Sequence, residues 1–536
     1  MIVPELRPWR AARPHVARAA GAVRPRLARA ARAATPQLAR VTRPKTWQYT
    51  AGAATAGLAL AAGVVTAAGP WDSMGQRTAE RDRAVAMERT GGADHGRGPE
   101  GSGTTSGAPR PAPSAGSVLT GLGGTAGGVP DGAEAGPGGT ALADVLGPLL
   151  DDPALGDRRA ASVVDLTTGE RLYGLDADVP LTPASTTKIA TAVAALTALG
   201  PDHRLTTRTA LEADTGEVVL VGGGDPTLTA REDDGGALRP GGTGSGADLA
   251  SLRTLAGKTA AALKKRDVRK VTLSYDTTLY AGEETHPIGV NENLALVTAL
   301  MADEARTDDS TSGPVTREDD PAADAARAFA GFLEQHGVTA SPPGPSKATE
   351  RAETLATVSS PPVSALVERM LTDSDNDLAE ALARHTALAT GEPAGFDGVS
   401  AALPARLERL GLPVRGTRFH DGSGLDRTDR ITADLLTALL AEAADPARPE
   451  LRPVLTGLPV AGFTGTLSSR YTDGAAGLVR AKTGTLRGVN TLAGTVVTAE
   501  GRLLGFAFLA SGTTDAWSAQ TALDRAATTL VSCGCA

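Results

Sequence analysis

The chain has 536 residues, which is too long for one compact hydrophobic core, so two or more domains are expected. Its formal net charge is −8. The first 46 residues carry +10, so the remainder carries −18. An acidic body argues against nucleic acid as a partner, because nucleic-acid binding needs a basic surface that displaces counterions.

The N-terminal part of the chain reads as a targeting region. Residues 1–46 are arginine-rich and are interpreted as a basic cytoplasmic leader. Residues 47–69 contain no charged residue and have AGAATAGLALAAGVVTAA at their centre. A positive leader before an apolar run is typical of signal peptides and membrane anchors. We therefore expect the body to be exported to the cell-wall side, either membrane-anchored or secreted.

A polar segment and a short tail complete the regions without a predicted core. Residues 70–139 contain GADHGRGPEGSGTTSGAPRPAPSAG and cannot bury enough apolar surface to fold, so we interpret them as a disordered linker. Cys533 and Cys535 lie in the last four residues and are interpreted as part of a frayed tail. The absence of other cysteines is compatible with export.

The remaining sequence predicts an α+β body with an insertion. Residues 140–205 contain a helix, a hairpin in RAASVVDLTTGERLYGLDAD and a second helix. Residues 206–355 contain short strand-like runs such as EVVLVGGGDPTL and KVTLSYDTTLY, separated by polar loops. Residues 356–536 return to helices and end in strands. This order indicates one body interrupted by a β-rich region at 206–355.

The helix in PASTTKIATAVAALTALGP, residues 183–201, combines an apolar surface with one lysine. Apolar residues recur at helical spacing until Gly200–Pro201, a pair that ends helices. Ser185 and Lys188 are three residues apart and share one face. A buried ammonium is costly, so either Lys188 reaches outward to solvent or its burial serves chemistry.

Three short motifs point to that chemistry. They are Ser185-Thr-Thr-Lys188, Ser374-Asp375-Asn376 between two helical stretches, and Lys482-Thr483-Gly484-Thr485 on a predicted strand. Alone, each has an ordinary structural explanation as a helix start, a helix cap or a strand end. Their occurrence together, on helix, loop and strand, indicates a serine nucleophile with a lysine base.

The residue types fit this interpretation. Serine is a poor nucleophile until a base removes its proton, and a desolvated lysine has a pKa low enough to act as that base. The backbone N–H groups of Ser185 and Thr485 are candidates for an oxyanion hole. Lys482 can attract a substrate carboxylate, which the hydroxyls of Thr483 and Thr485 can also bind.

The sequence resembles the active-site serine penicillin-binding proteins, specifically the D-Ala-D-Ala carboxypeptidase/endopeptidases of the penicillin-binding protein 4 type. Ser374 follows Ser185 by 189 residues, which matches the large insertion of that family better than a β-lactamase. Further similarities are LVGGGDPTL at 220–228, HDGSGLDRTDRIT at 420–432 and LPVAGFTGTLSSRY at 458–471. The resemblance implies a β-lactamase/transpeptidase-like domain with an antiparallel sheet and helices on both sides.

The resemblance also implies roles for individual residues. Ser185 is the acylated nucleophile and Lys188 its general base, while Ser374 relays a proton to the leaving D-alanine. Asn376 hydrogen-bonds the acyl chain, and the terminal carboxylate lies at Lys482, Thr483, Gly484 and Thr485. The implied substrates are peptidoglycan stem peptides, with β-lactams as inhibitors and with no cofactor or metal.

Two alternatives remain open from the sequence. A serine β-lactamase would need a group that activates water for deacylation, and no such residue is identified. A catalytically slow, membrane-tethered β-lactam sensor or cell-wall scaffold would share the motifs. The DGSGL stretch within 420–432 is interpreted as a turn near the site.

Overall fold

The computed structural model describes residues 138–231, 249–471 and 474–532. The leader, the apolar segment, nearly all of the linker and both cysteines lie outside these ranges, so the predictions made for them stay predictions. Within the described ranges, no helix is both long enough and apolar enough to cross a membrane.

Outside the inserted region, the helices and strands follow the predicted order along the chain. In the described part, the strands are β1 (Arg158–Asp165), β2 (Arg171–Leu175), β3 (Thr206–Leu211), β4 (Glu217–Val221), β5 (Lys270–Asp276), β6 (Thr339–Ala340), β7 (Gly344–Pro345), β8 (Glu353–Ser359), β9 (Val479–Leu486), β10 (Val489–Val497) and β11 (Leu503–Ser511). The α-helices there are α1 (Gly138–Leu150), α2 (Thr187–Leu199), α3 (Leu252–Lys264), α4 (Pro321–Gln335), α5 (Val363–Asp373), α6 (Asn376–Thr390), α7 (Phe396–Arg409), α8 (Ala433–Ala444), α9 (Arg452–Thr456) and α10 (Ala516–Ser532).

The first sheet has five antiparallel strands in the order β2-β1-β11-β10-β9. Successive residues of β11 face opposite sides of the sheet. Phe506 and Phe508 pack with α1 and α10, whereas Ala507 and Leu509 pack with α2 and α8. The sheet is therefore covered by helices on both sides, which confirms the predicted α+β class and explains why β10 and β11 are almost continuously buried.

Helix α2 lies inside the helical layer next to this sheet. Every residue from Thr187 to Leu196 is buried. The helix packs against α5, α6, α7 and α8, so an apolar surface all round is stabilising. It ends at Gly200, whose φ of 90° is readily adopted only by glycine and whose N–H bonds to the Leu196 carbonyl. In this packing the side chain of Lys188 is fully buried.

A second sheet forms the inserted region, with the order β6-β5-β4-β3-β8 and with β7 also paired to β5. The chain enters along β3 and leaves along β8, which pair antiparallel from Thr206 opposite Ser359. Strands β4 and β5 are parallel, and parallel strands require a crossover, which α3 provides. Helix α4 also packs in this core.

The two helices of the insertion are additional to the strands that the sequence analysis predicts. Each begins with a side-chain cap. The Ser251 side chain accepts the N–H of Thr254 in α3, and the Asp320 side chain accepts the N–H of Ala323 in α4. The glycine- and aspartate-rich loops around them obscure their periodicity in the sequence. The first sheet and the helices that cover it are called the first body. The long segment between β5 and α4 reaches this first body, where it contacts the candidate site.

Candidate active site

The Ser185 hydroxyl lies at the entrance of α2, in a short 3₁₀ turn over Ala184–Thr186. Ser185 is half-buried, while its neighbours Ala184 and Thr186 are buried. Ala184 has a φ of 49°, an uncommon conformation for a residue with a Cβ. Such backbone strain costs about 1–3 kcal/mol and persists only where the surroundings impose it. The turn thus presents one hydroxyl at the surface of an otherwise buried helix start.

Two glycines allow this turn to be packed tightly. A Cβ on Gly424, where φ is +81°, would lie 2.0 Å from the Ala184 carbonyl oxygen. A Cβ on Gly484 in β9 would lie 2.7 Å from the Pro183 carbonyl oxygen and 2.1 Å from the Thr491 hydroxyl. Only glycine fits at either position without displacing backbone. The glycine of the third motif therefore lets the edge strand approach the serine.

Lys188 is fully buried and its Nζ has three oxygen partners. It lies 3.1 Å from Ser185 Oγ, 2.7 Å from Asn376 Oδ1 and 2.8 Å from the Ser423 carbonyl oxygen. A neutral amine has two N–H groups and one lone pair. With its N–H groups donated to Asn376 and Ser423, its lone pair can accept the Ser185 proton. The geometry suits a general base.

Burial also adjusts the basicity of Lys188. Desolvation lowers the pKa of the Lys188 amine to about 8, although the negative charges of Asp421 and Glu380 oppose this change. A base whose pKa is near the working pH combines a useful neutral fraction with a useful affinity for the proton.

The second motif lies between α5 and α6. Ser374 ends α5 in the left-handed conformation, Asp375 caps α6, and Asn376 is the first residue of α6. The Ser374 hydroxyl accepts a hydrogen bond from Lys482 Nζ at 2.9 Å. Asn376 accepts from Lys188 and donates through Nδ2 to the Asn293 carbonyl at 2.8 Å. The motif thus links both lysines to the inserted region.

The two aspartates that flank Asn376 point away from Ser185. Asp375 accepts the N–H of Leu378 at 2.9 Å as the helix cap. Asp377 pairs with Arg317 of the inserted region at 3.0 Å and accepts the N–H of Ala295 at 3.0 Å. These contacts fix the start of α6, and therefore the direction of the Asn376 side chain.

The third motif lies on β9, the edge strand of the first sheet. Lys482 is buried, and its Nζ donates to Ser374 Oγ and to the Thr483 carbonyl oxygen, each at 2.9 Å. Burial, together with the nearby charge of Lys188, holds the pKa of the Lys482 amine well below its ordinary value. A bound carboxylate would restore its positive charge, because an opposite charge favours the protonated form.

The hydroxyls of this motif lie toward the surface. Thr483 Oγ1 donates to Thr466 Oγ1 at 2.9 Å, and Gln520 Nε2 donates to Thr485 Oγ1 at 3.2 Å. Thr483 is half-buried and Thr485 is exposed. Together with Ser185, they form the side of the site that a ligand can reach.

The structure therefore brings all eight predicted site residues to one place: Ser185, Lys188, Ser374, Asn376, Lys482, Thr483, Gly484 and Thr485. It also adds the Ser423 carbonyl, which the motifs do not reveal. That atom belongs to the DGSGL turn, which the sequence analysis interprets as a turn near the site without assigning it a role. A backbone oxygen has no residue-type signature, so its role becomes visible only in the fold.

Two groups of described side chains bring three possible metal ligands together. In the first, His286 donates to Asp421, and Glu380 accepts backbone N–H groups. In the second, around Asp375, the carboxylates are paired with arginines. Most ligand atoms in both groups have partners within the protein, whereas Glu380 Oε2 in the first group has no hydrogen-bond partner among the described residues.

Comparison with known proteins places this geometry in a family. The family described as D-Ala-D-Ala carboxypeptidase 3 (S13) matches residues 142–294 and 307–530. The carboxypeptidase DacB of Mycolicibacterium smegmatis is 37% identical over 407 residues, covering 74% of this chain and 84% of that protein. The D-alanyl-D-alanine carboxypeptidase of Actinomadura sp. (strain R39) is 31% identical, covering 68% of this chain and 80% of that protein.

A solved structure shares the fold. Penicillin-binding protein 4 (dacB) from Haemophilus influenzae aligns with a TM-score of 0.57 at 20% identity, covering 72% of this chain and 97% of that protein. This likeness supports the predicted fold, a β-lactamase/transpeptidase-like domain with an insertion.

The buried amine yields a direct prediction. In a protein with ¹⁵N-labelled lysine, we expect the Nζ signal that disappears in Lys188→Met to titrate near pH 8, because burial disfavours the ammonium form. Nuclear magnetic resonance across the alkaline range measures this midpoint. Titration of that signal at the ordinary lysine value of about 10.4 would contradict the described environment.

Proposed function

The chain belongs to the D-Ala-D-Ala carboxypeptidase 3 (S13) family, and from this premise we propose that it cleaves the terminal D-alanine from peptidoglycan stem peptides through an acyl-enzyme on Ser185. The observation that carries the proposal is the contact of a fully buried lysine amine with that serine, at 3.1 Å. The same attack on a cross-linked stem peptide would constitute endopeptidase activity.

The acylation step uses the two lysines and the Ser374 hydroxyl. Ser185 Oγ attacks the carbonyl carbon of the penultimate D-alanine, and its proton passes to Lys188 Nζ. The backbone N–H groups of Ser185 and Thr485 stabilise the oxyanion. When the C–N bond breaks, the proton that Lys188 took from Ser185 passes through the Ser374 hydroxyl, which accepts from Lys482 at 2.9 Å, to the nitrogen of the leaving D-alanine, so that Lys188 is neutral again.

Deacylation returns the enzyme to its starting state. Water attacks the ester carbonyl, and Lys188 accepts one proton of that water. Collapse breaks the bond to Ser185 Oγ, which regains its proton, and a peptide with a new terminal carboxylate is released. Asn376 hydrogen-bonds the acyl chain during both steps. In the earlier acylation step, the carboxylate of the D-alanine that will leave lies against Lys482 and the hydroxyls of Thr483 and Thr485.

β-Lactams are proposed as inhibitors of the same serine. A β-lactam carries a strained amide and a carboxylate in an arrangement similar to that of the peptide terminus. Penicillin-binding protein 4 from Haemophilus influenzae has been crystallised with a β-lactam. When Ser185 opens such a ring, the released amine stays covalently attached to the acyl group and cannot diffuse out of the site. This acyl-enzyme would therefore be long-lived.

The first test measures labelling and turnover with the full chain. We expect a fluorescent penicillin to label the protein covalently and a peptide ending in D-Ala-D-Ala to release D-alanine. Ser185→Ala should abolish both, because the nucleophile is lost, while Ser468→Ala serves as a matched serine control outside the three motifs.

Other outcomes of that test favour the alternatives. Rapid turnover of penicillin would support a β-lactamase. Stable labelling without release of D-alanine would support a sensor or scaffold. Failure of the protein to be labelled at all would refute the acyl-enzyme scheme.

We also propose that the body acts outside the cytoplasmic membrane, where peptidoglycan lies. The support is the basic leader at 1–46 followed by the apolar segment at 47–69. In cells that produce the full chain, a protease added to spheroplasts should degrade the body, and replacing the apolar segment with a polar one of equal length should protect it. If the unchanged protein and the variant with the polar segment were equally protected from the protease, the result would contradict export.

A further inference from the structure

Beside Lys188 lies a buried polar group that the proposed mechanism does not use. It consists of His286 from the inserted region, Glu380 from α6 and Asp421 from the DGSGL turn. Their exposed fractions are 3%, 0% and 0%. Buried charged groups are costly unless they are hydrogen-bonded, so the contacts of this group indicate what it does.

The two carboxylates of this group bind the backbone of residues 421–426. Asp421 accepts the N–H of Gly424 at 2.6 Å and that of Asp426 at 2.7 Å. Glu380 accepts the N–H of Gly422 at 3.1 Å and that of Ser423 at 2.9 Å. Four backbone donors are thereby satisfied by two side chains, which fixes the turn.

The fixed turn directs one carbonyl group at the proposed base. The Ser423 carbonyl oxygen accepts from Lys188 Nζ at 2.8 Å. With Asn376 accepting the second N–H, this leaves the lone pair of the neutral amine toward Ser185. If the turn shifts, the amine loses one of the acceptors that orient it.

His286 connects the inserted region to the turn. Its Nε2 lies 2.9 Å from Asp421 Oδ2. The N–H of Ile288 donates to His286 Nδ1 at 3.2 Å, so in this arrangement Nδ1 is the acceptor and Nε2 carries the proton that is donated to Asp421. The ring also packs edge-to-face against Phe396, at 5.3 Å between centroids. The imidazole is thus held in one orientation.

We propose that His286 is a positioning residue for acylation: by hydrogen-bonding Asp421 it fixes the turn whose Ser423 carbonyl orients Lys188. The inserted region therefore contributes to the chemistry of the first body. This inference rests on the proposed function, because it assumes that Lys188 is the base for Ser185.

Two substitutions separate this role from simple space filling. In His286→Gln the side-chain amide can reach Asp421 as Nε2 does, whereas the side chain of His286→Asn is one methylene shorter and cannot. The matched control is His385→Asn, because His385 is also buried but lies against Gly224 and Tyr280 rather than the turn.

The measurement is stopped-flow acylation of the full-length protein by a fluorescent penicillin over a range of concentrations. It yields the dissociation constant of the first complex and the acylation rate constant. For His286→Asn we expect the rate constant to fall about tenfold to a hundredfold, as is usual when a catalytic group is misplaced by about 1 Å. The dissociation constant should change less than about twofold, because ground-state binding is not affected.

The comparison between variants decides the proposal. His286→Gln and His385→Asn should acylate within about threefold of the unchanged protein, while thermal melts establish that each variant is folded. If His286→Asn does not fold, His286→Leu, which fills a similar volume without a donor, replaces it.

An unchanged rate constant in His286→Asn, or in His286→Leu where that variant replaces it, would overturn the positioning role. Equal losses in His286→Gln and in His286→Asn, or its replacement His286→Leu, would also overturn it. Failure of the unchanged protein to be labelled would instead refute the proposed function itself, so the two failures are distinguishable.

Discussion

The arrangement of the site depends on keeping one lysine amine buried, uncharged for part of the time, and aimed at Ser185. An amine in an apolar interior is tolerated only when each of its polar atoms has a partner. Lys188 obtains its partners from three separate segments, through Ser185, Asn376 and the Ser423 carbonyl. The apolar helix α2 removes water from the amine, and the packing of α5, α6 and α8 around α2 brings the other segments within reach. Stability of the fold and basicity of the lysine therefore have the same origin.

The inserted region contributes to this arrangement. It supplies the Asn293 carbonyl to Asn376, Arg317 to Asp377 and His286 to Asp421. Each contact lies next to a group that touches Lys188, yet none of the three touches the amine itself. The insertion enters along β3 and leaves along the paired β8, so its two connections to the helices that carry the site lie side by side. An insertion of this kind can hold the loops of the site in place without taking part in bond breaking.

The sequence predicted the features that depend on local spacing. Ser185 and Lys188 are three residues apart, so their juxtaposition follows from helical spacing, and the second motif was predicted between two helices, where the structure places it at the junction of α5 and α6. Features that depend on tertiary contacts were not predictable in the same way. The Ser423 carbonyl carries no signature in its side chain, and His286 lies 135 residues from Asp421. Helices α3 and α4 were not predicted, because the crossover that α3 provides follows from a parallel pairing that the strand patterns do not specify.

The central claim is that Lys188 acts as a base and not merely as a positive charge. The most direct test is the rate of penicillin acylation in Lys188→Arg, with Lys258→Arg on the exposed face of α3 as the control. Arginine keeps the charge but does not lose its proton in proteins. The account predicts that Lys188→Arg, while still folded, acylates about 10² to 10⁴ times more slowly, whereas the control is unaffected. Acylation of Lys188→Arg at the rate of the unchanged protein would contradict the account.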